Sequence, residues 1–172
     1  MLTVVSQIIG FAAVGLYLLS YQLKKRKQIV WVACISNALY VLQYILLGAF
    51  SGAAMDFTST VSSFFAAKKN EGAFKRYARV LAWSNMIIIA TVGLASALIQ
   101  GEWIELLPIA GALLQTGGLW CDDEQTIRKF GLCSAPFWLV YNYISHAYGP
   151  ALGSVIAIIS IIISMIRYRK KA

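Results

Sequence analysis

Ionisable residues are scarce in this chain, and histidine is almost absent. Charged residues make up 13% of the 172 residues, whereas soluble domains carry about 25%. The three cysteines, Cys34, Cys121 and Cys133, are an odd number and do not predict a disulfide framework. The single histidine, His146, has no cysteine or acidic neighbour, which excludes a metal-ligand cluster. We therefore expect neither a bound metal nor a cofactor.

Catalytic signatures are missing as well. The sequence contains no glycine-rich phosphate loop, no Gly-x-Ser-x-Gly motif and no cluster of histidine with carboxylates. We therefore expect that the protein is not an enzyme. Its net charge of +8 is divided among separate loops, which argues against nucleic-acid binding, since that requires one continuous basic surface.

Long apolar runs fill most of the chain. The hydrophobic fraction is 59% and the mean hydropathy is +0.69. Seven segments have about the 20 apolar residues that cross a bilayer as a helix. They are 2–22, 29–48, 50–67, 80–99, 103–120, 127–146 and 152–166. The sequence therefore predicts an all-α integral membrane protein with seven transmembrane helices in a single membrane domain.

Lysine and arginine occur only in every second gap between these segments. They cluster at 24–27, 68–79, 128–129 and 167–171, and they are absent around 48–51, 100–102 and 146–149. Cytoplasmic loops of membrane proteins retain an excess of these residues. The pattern predicts that the N-terminus lies outside and the C-terminus lies in the cytoplasm.

The chain shows a weak internal repeat. A shift of 98 residues places Ser36 on Ser134, Ser62 on Ser160 and Lys69 on Arg167. We interpret residues 1–69 and 103–170 as two parallel three-helix repeats, joined by a linker helix at 76–99. Parallel repeats are related by an axis along the membrane normal, and this 3+1+3 plan looks like that of the SWEET, PQ-loop and PnuC-type transporters.

Asp56 is the only acidic residue well inside a predicted span. An ionisable residue within the membrane is a candidate functional site. We expect Asp56 to bind a solute hydroxyl or cation, or to carry a coupling proton. The alternative is a hydrogen-bonded structural carboxyl near the membrane surface.

Two predicted helices carry faces of aromatic and amide side chains. On the second segment these residues are Asn37, Tyr40, Gln43 and Tyr44. On the sixth segment they are Ser134, Trp138, Tyr141 and Asn142. Opposing faces of this kind suit a flat polar solute, because rings stack and amides supply directed hydrogen bonds. The alternative is that these residues only join helices through hydrogen bonds.

Two charged runs of opposite sign become equivalent under the 98-residue shift. The basic run is Lys24, Lys25 and Arg26, and the acidic run is Asp122, Asp123 and Glu124. If these helix ends face each other, their pairing would form a cytoplasmic gate. The alternative is that both runs are solvated and serve only topology.

Two prolines lie in or near predicted helices. Pro108 is close to the start of the fifth segment, and Pro136 lies well inside the sixth. Because proline removes a backbone donor, both are candidate hinges, although close helix packing is the simpler interpretation.

The last third of the chain resembles the YgjV-type family of bacterial inner-membrane proteins. The stretches that carry the resemblance are Glu105 to Pro108, Thr126 with Arg128, Trp138 to Asn142, and Ile166 with Arg167. Chain length and segment layout are also similar. The resemblance implies a location in the bacterial inner membrane, but it supplies no catalytic or binding residue.

These observations favour a carrier that moves a small polar metabolite, such as a sugar or a vitamin-like nucleoside, by alternating access. One alternative is a substrate-binding subunit, similar to an S-component, that requires an energising partner. Another is a membrane scaffold or sensor that transports nothing. The expected partners are the lipid bilayer and the solute, and the sequence leaves open whether the protein forms a homo-oligomer.

Overall fold

The computed structural model describes residues 2–47, 50–101, 103–144 and 148–168. The elements in chain order are α1 (Leu2–Gln22), α2 (Arg26–Leu47), α3 (Phe50–Lys68), α4 (Gly72–Gln100), a 3-10 helix (Trp103–Glu105), α5 (Leu106–Trp120), α6 (Glu124–Ile144) and α7 (Tyr148–Arg167). Across the described residues there are seven α-helices and no strand, which confirms the predicted all-α fold.

Helix α4 begins earlier than the sequence predicted. It starts at Gly72 and spans 29 residues, so Lys75, Arg76 and Arg79 lie in its first turns rather than in a loop. Lysine and arginine are good helix formers, and their charge alone does not end a helix. The predicted ends of the second and sixth segments, at 48 and 145–146, lie outside the described residues.

Local sequence explains two of the other helix starts. At α6, the Asp123 carboxylate accepts hydrogen bonds from the Thr126 amide at 2.8 Å and from the Thr126 hydroxyl at 2.9 Å. This is an N-cap, which satisfies a backbone donor that would otherwise have no partner. At α5, Pro108 falls in the first turn, where the missing amide hydrogen has no helical acceptor.

Each set of three sequential helices packs through its middle member. Helix α2 packs against α1 and α3, and α6 packs against α5 and α7. We call α1–α3 the first half and α5–α7 the second half. The halves meet where α1 contacts α7 and where α3 contacts α5, and α4 packs against α3 and α5.

The surface of the protein is apolar around the bundle. Phe11, Leu98 and Ile99 are 77%, 75% and 86% exposed. Trp83, Ile87 and Leu94 of α4 are exposed in the same way. Such a continuous apolar surface is unsuited to water and suits a lipid environment.

Within the described residues, three helices are long and apolar enough to cross a membrane by length and composition. The qualifying stretches are Val5–Gln22, Arg26–Leu46 and Gly72–Ile99, and α7 holds a shorter apolar stretch, Ala151–Arg167. Helix α3 is more polar because it carries buried serines, including Ser59, Ser62 and Ser63. Small polar residues of this kind let membrane helices approach closely.

Three helix connections meet at one end of the bundle, which we call the basic end. They are residues 23–25, 69–71 and 121–123. Lys69 bonds Asp122 at 2.8 Å, Lys27 bonds Glu71 at 2.7 Å, and Arg26 Nε donates to the Cys121 carbonyl oxygen at 2.6 Å. A core cluster drawn from both halves, including Tyr21, Ile29, Ile127 and Ile161, contains residues next to these connections.

Candidate functional site between the two halves

The aromatic face of α2 takes the arrangement that its spacing predicts. The rings of Tyr40 and Tyr44 stack with centroids 6.3 Å apart and planes inclined by 25°. Asn37 is buried and donates to the Ser63 hydroxyl at 3.3 Å, so it joins α2 to α3. The Gln43 amide lies against Gly10, where a Cβ atom would come within 2.3 Å of its nitrogen. Asn37 and Gln43 therefore serve helix packing in this structure.

Asp56 lies on the face of α3 that turns towards α2. Its carboxylate lies near the side chains of Tyr40 and Tyr44. No hydrogen bond to this carboxylate is found among the described residues, although the Asp56 main-chain oxygen accepts one from the Thr60 hydroxyl at 2.7 Å. The carboxylate is therefore not held as a structural hydrogen-bond acceptor by the described part of the chain.

The polar face of α6 contains a second aromatic pair. The rings of Trp138 and Tyr141 meet edge to face, with centroids 6.4 Å apart. The Tyr141 hydroxyl donates to Glu105 at 3.4 Å. Buried Ser134 donates to the Gly131 carbonyl oxygen at 2.9 Å. Asn142, one turn further on, is half-buried.

Trp138 carries an unused hydrogen-bond donor. Its Nε1 is buried and has no partner among the described residues. The indole nitrogen lies over Gly111, where a Cβ atom would come within 2.8 Å of it, so the glycine makes the space that the ring occupies. A buried donor without an acceptor costs about 1–3 kcal/mol. Such a donor marks a place where a bound polar group would be favourable.

The structure brings the two predicted faces together through tyrosines. Tyr44 of α2 lies near both Asp56 of α3 and Tyr141 of α6. Tyr17 of α1 lies near Ser134 of α6 and near Tyr40 of α2. Side chains from both halves therefore approach one another around the Tyr40–Tyr44 stack.

Sequence reasoning missed Tyr17, Tyr21 and Glu105. Tyr17 and Tyr21 lie one turn apart on α1, and their hydroxyls are 3.4 Å apart. That i, i+4 spacing was a usable signal. Glu105 lies in the 3-10 helix that precedes α5. The sequence predicted only that it lies near a helix start. Its contact with Tyr141 could not be predicted, because residue spacing along one helix does not encode contacts with another helix.

The charged runs at the basic end are adjacent, but they do not pair as predicted. Asp122 pairs with Lys69, which lies outside the basic run. Glu124 accepts the backbone amide of Arg26 at 3.2 Å. Lys24 lies over the Tyr168 ring, 5.8 Å from its centroid. Asp123 caps its own helix, and the main-chain oxygen of Lys25 accepts the first bonds of the α2 helix.

The ion pair between Lys69 and Asp122 joins a buried cation to an exposed carboxylate. Its side chain is 8% exposed, whereas that of Asp122 is 81% exposed. The Lys69 ammonium also donates to the Trp120 carbonyl oxygen. Its hydrogen bond to the carboxylate holds the pKa of Asp122 below its ordinary value.

The Arg26 side chain closes the end of α5, and among the described residues it forms no ion pair with the acidic run. Its guanidinium donates to the carbonyl oxygens of Leu119 at 2.8 Å and Cys121 at 2.6 Å. A third bond, at 2.9 Å, reaches the Ala66 carbonyl oxygen at the end of α3. Carbonyls in a last helical turn lack partners within the helix, and a cation there also complements the helix dipole.

Arg128 performs the corresponding task at the end of α1. It donates to the carbonyl oxygens of Tyr21 at 3.2 Å and Leu23 at 2.7 Å. A shift of 98 residues carries Tyr21 to Leu119 and Leu23 to Cys121. The first helix of each half is therefore closed by an arginine of the other half, at equivalent carbonyls.

The same shift relates a pair of side-chain contacts. Gln22 Nε2 donates to the Ser160 hydroxyl at 2.9 Å, which joins α1 to α7. Trp120 Nε1 donates to the Ser62 hydroxyl at 2.9 Å, which joins α5 to α3. Gln22 and Trp120 are 98 residues apart, and so are Ser62 and Ser160. The two places where the halves meet thus share contacts at matching positions.

The predicted hinge prolines occupy different settings. Pro108 is buried in the first turn of α5, where it breaks no helical hydrogen bond. Pro136 lies in the interior of α6, which continues through it as one helix, and its missing amide hydrogen removes one backbone bond there. The bond missing at Pro136 makes it the better placed of the two for bending.

Comparison with known proteins identifies one family. The family model Imp-YgjV, described as bacterial inner membrane protein, matches residues 4–172. No curated protein and no solved structure matches the chain.

Proposed function

Because this chain belongs to the Imp-YgjV family of bacterial inner-membrane proteins, we propose that it carries a small polar solute across that membrane. The solute class is a sugar or a vitamin-like nucleoside, and no catalytic step is assigned. In this proposal all seven helices cross the bilayer, with the N-terminus outside and the C-terminus in the cytoplasm, because lysine and arginine gather at the basic end.

The observation that carries the proposal is the buried Trp138 Nε1, which has no hydrogen-bond partner in the described part of the chain. A residue that only joined helices would have an acceptor, because unpaired buried donors are costly. Close to Trp138 are the Tyr141 ring and, within electrostatic range of Tyr141, the Tyr44 hydroxyl. Asp56 supplies an acceptor that the described residues leave unused. A solute with hydroxyl or amide groups would satisfy both groups.

Alternating access requires two bodies that move relative to each other. In the proposal these are the two halves, taken as parallel repeats, which meet at α1 with α7 and at α3 with α5. Helix α4 is the linker between them. At the basic end, Arg26 and Arg128 each donate hydrogen bonds to carbonyl oxygens of the opposite half and so hold the two halves together. This arrangement corresponds to a carrier that is closed towards the cytoplasm.

Opening the basic end would exchange these bonds for bonds to water. Hydrogen bonds from charged groups contribute about 1.5–3 kcal/mol each, so one or two of them match the few kcal/mol that separate two conformations of one protein. The contacts therefore hold the closed state without making it permanent.

A thermal-shift screen of purified protein against sugars, nucleosides and vitamins tests the proposal. A ligand that binds only the folded protein raises its apparent stability by mass action. Any stabilising solute should lose its effect in Trp138→Phe, which keeps a ring but removes the donor. Solute-induced shifts that are equal in Trp138→Phe and wild type would contradict the proposed site.

A further inference from the structure

An open groove lies between the last turn of α1 and one face of α7. Its volume is about 440 Å³, and it is lined by Gln22, Ile156, Ile159, Ser160, Ile163 and Arg167. It is separate from the candidate solute site, since none of these residues belongs to the faces around Tyr44 and Trp138. The lining divides into a polar part towards the basic end and an apolar part along α7.

In the polar part of the groove, a hydrogen bond fixes the position of the Arg167 guanidinium. Arg167 Nη1 donates to Gln22 Oε1 at 3.2 Å. The Gln22 amide is itself fixed, because its nitrogen donates to the Ser160 carbonyl oxygen at 2.8 Å and to the Ser160 hydroxyl at 2.9 Å. Among the described residues, no carboxylate pairs with Arg167. Its positive charge is therefore available to an anion.

The apolar part runs along α7, away from Arg167. Ile156, Ile159 and Ile163 recur at i, i+3 and i+7, which places them on one helix face. They are 51%, 54% and 47% exposed. Seven residues of α-helix extend about 10 Å, so this stripe offers a length of surface that suits a hydrocarbon chain.

At the position that corresponds to this groove in the other half, a larger side chain occupies the space and the basic residue is paired with a carboxylate. Under the 98-residue shift, Gln22 corresponds to Trp120 and Arg167 corresponds to Lys69. The Trp120 indole occupies the position at Ser62 that the smaller Gln22 amide takes at Ser160. Lys69 is buried and paired with Asp122. The groove and its unpaired cation thus arise from two substitutions between matching positions.

We propose that this groove binds one anionic phospholipid of the cytoplasmic leaflet. The lipid phosphate accepts hydrogen bonds from Arg167, and one acyl chain lies along the three isoleucines. Lys24, held over the Tyr168 ring at 5.8 Å, adds positive charge at this end of the bundle. Basic pockets between membrane helices on the cytoplasmic side suit anionic head groups.

Delipidated protein in a mild non-ionic detergent provides the test. Phosphatidylglycerol should raise the melting temperature more than phosphatidylethanolamine does at the same concentration, and native mass spectrometry should show one retained phosphatidylglycerol. Arg167→Gln should lose at least half of the additional shift. Lys129→Gln removes an exposed charge of the same sign near the same end and should keep the shift.

Gln22→Trp provides a second variant that keeps a donor for Ser160 but fills the groove as Trp120 does in the other half. It should reduce retention of the lipid while all basic residues stay in place. Equal losses in Arg167→Gln and Lys129→Gln would overturn the proposal in favour of diffuse charge attraction. An equal shift with glycerol 3-phosphate, which has no acyl chain, would overturn it in favour of a free anion.

Discussion

Arg26 of α2 and Leu119 of α5 are joined by a hydrogen bond of 2.8 Å, from the guanidinium to the carbonyl oxygen. The bond crosses from one half of the protein to the other. Its counterpart joins Arg128 to the Tyr21 carbonyl oxygen at the end of α1. The two arginines come from different turns of their helices, Arg26 at the start of α2 and Arg128 one turn into α6. The carbonyls match between the halves, although the donors are offset by one turn.

Arg128→Gln should destabilise the protein strongly. Arg128 is 1% exposed, and its loss leaves two carbonyl oxygens of α1 without their charged donor. Hydrogen bonds from charged groups contribute about 1.5–3 kcal/mol each, so we expect a loss of about 3–6 kcal/mol from the two bonds. Thermal unfolding in detergent measures it. Lys129→Gln, an exposed neighbour with the same change in charge, should stay within about 0.5 kcal/mol of wild type, and equal losses in both variants would contradict the capping role.

Trp138→Phe should raise the stability of the solute-free protein. The substitution removes a buried donor for which the described residues offer no acceptor, and it retains an aromatic ring over Gly111. Leaving such a donor unpaired costs about 1–3 kcal/mol, and removing the donor recovers this free energy. The smaller phenyl ring loses some packing contacts, which offsets part of the gain. We expect a net gain of roughly 1 kcal/mol by thermal unfolding, together with loss of solute binding.

Gly111→Ala is the companion to that variant. Its added methyl group would press on the Trp138 ring at 2.8–3.2 Å. It should therefore displace the ring and weaken solute binding without removing the donor. Unchanged solute binding in both variants would place the solute elsewhere in the protein.

Asp56→Asn should leave the protein folded, because the amide keeps the shape of the side chain. If Asp56 carries a coupling proton, the variant should still exchange labelled solute across vesicle membranes but should not accumulate it against a gradient. Accumulation and exchange are measured in parallel in the same vesicles. Accumulation at the wild-type level would remove Asp56 from the coupling mechanism.

Asp122→Asn should destabilise the protein by at most about 1 kcal/mol near neutral pH, since one partner of the Lys69 pair is exposed. The bond to Lys69 lowers the pKa of Asp122 in the folded protein. Its stabilisation is therefore present above the unfolded pKa, which is about 3.9, and is lost as the pH falls through the lower folded value. Unfolding midpoints of wild type and variant should converge below about pH 4.

A double substitution controls for effects outside this pair. In a Lys69→Met background, Asp122→Asn should have no further effect at neutral pH, because the partner of the carboxylate is already gone. A persistent difference between those two proteins would show that Asp122 acts through another group.

Labelling of single cysteines tests the orientation. Cysteines introduced at Lys25 and Asn70 should be shielded in intact cells from an impermeant reagent, and one at Glu102 should react. Asn70 is a better position than Lys69, because the Lys69 side chain is 8% exposed. Reaction at Asn70 from outside would reverse the predicted topology.

Helix positions were predictable because apolar length and connecting residues are local properties. The predicted start and end of α1 agree with the structure, and α3 extends only one residue beyond its predicted end. The start of α4 was missed because the basic residues near Lys75 were interpreted as a loop. The helix continues through them, since their long side chains favour helix and reach water.

The partners of individual charges were less predictable. The shift of 98 residues placed Lys24 against Asp122 by sequence, whereas Asp122 contacts Lys69 at the end of α3. The cation that pairs with a carboxylate is determined by how three helix ends are arranged in space. The periodicity of the sequence does not predict that arrangement. The faces on α2 and α6 were recognisable from spacing. Their connection through Tyr17 and Tyr44 required the packed structure.

The reciprocal closing of α1 and α5 has a consequence for biosynthesis. Tyr21 leaves the ribosome 107 residues before Arg128, and Arg26 precedes Leu119 by 93 residues. During translation, the end of α1 therefore lacks its arginine until the sixth helix has been made. A nascent chain that stops after α4 carries an arginine with no α5 carbonyl to bind and a helix end with no arginine. The joint between the halves is completed only in the final third of synthesis.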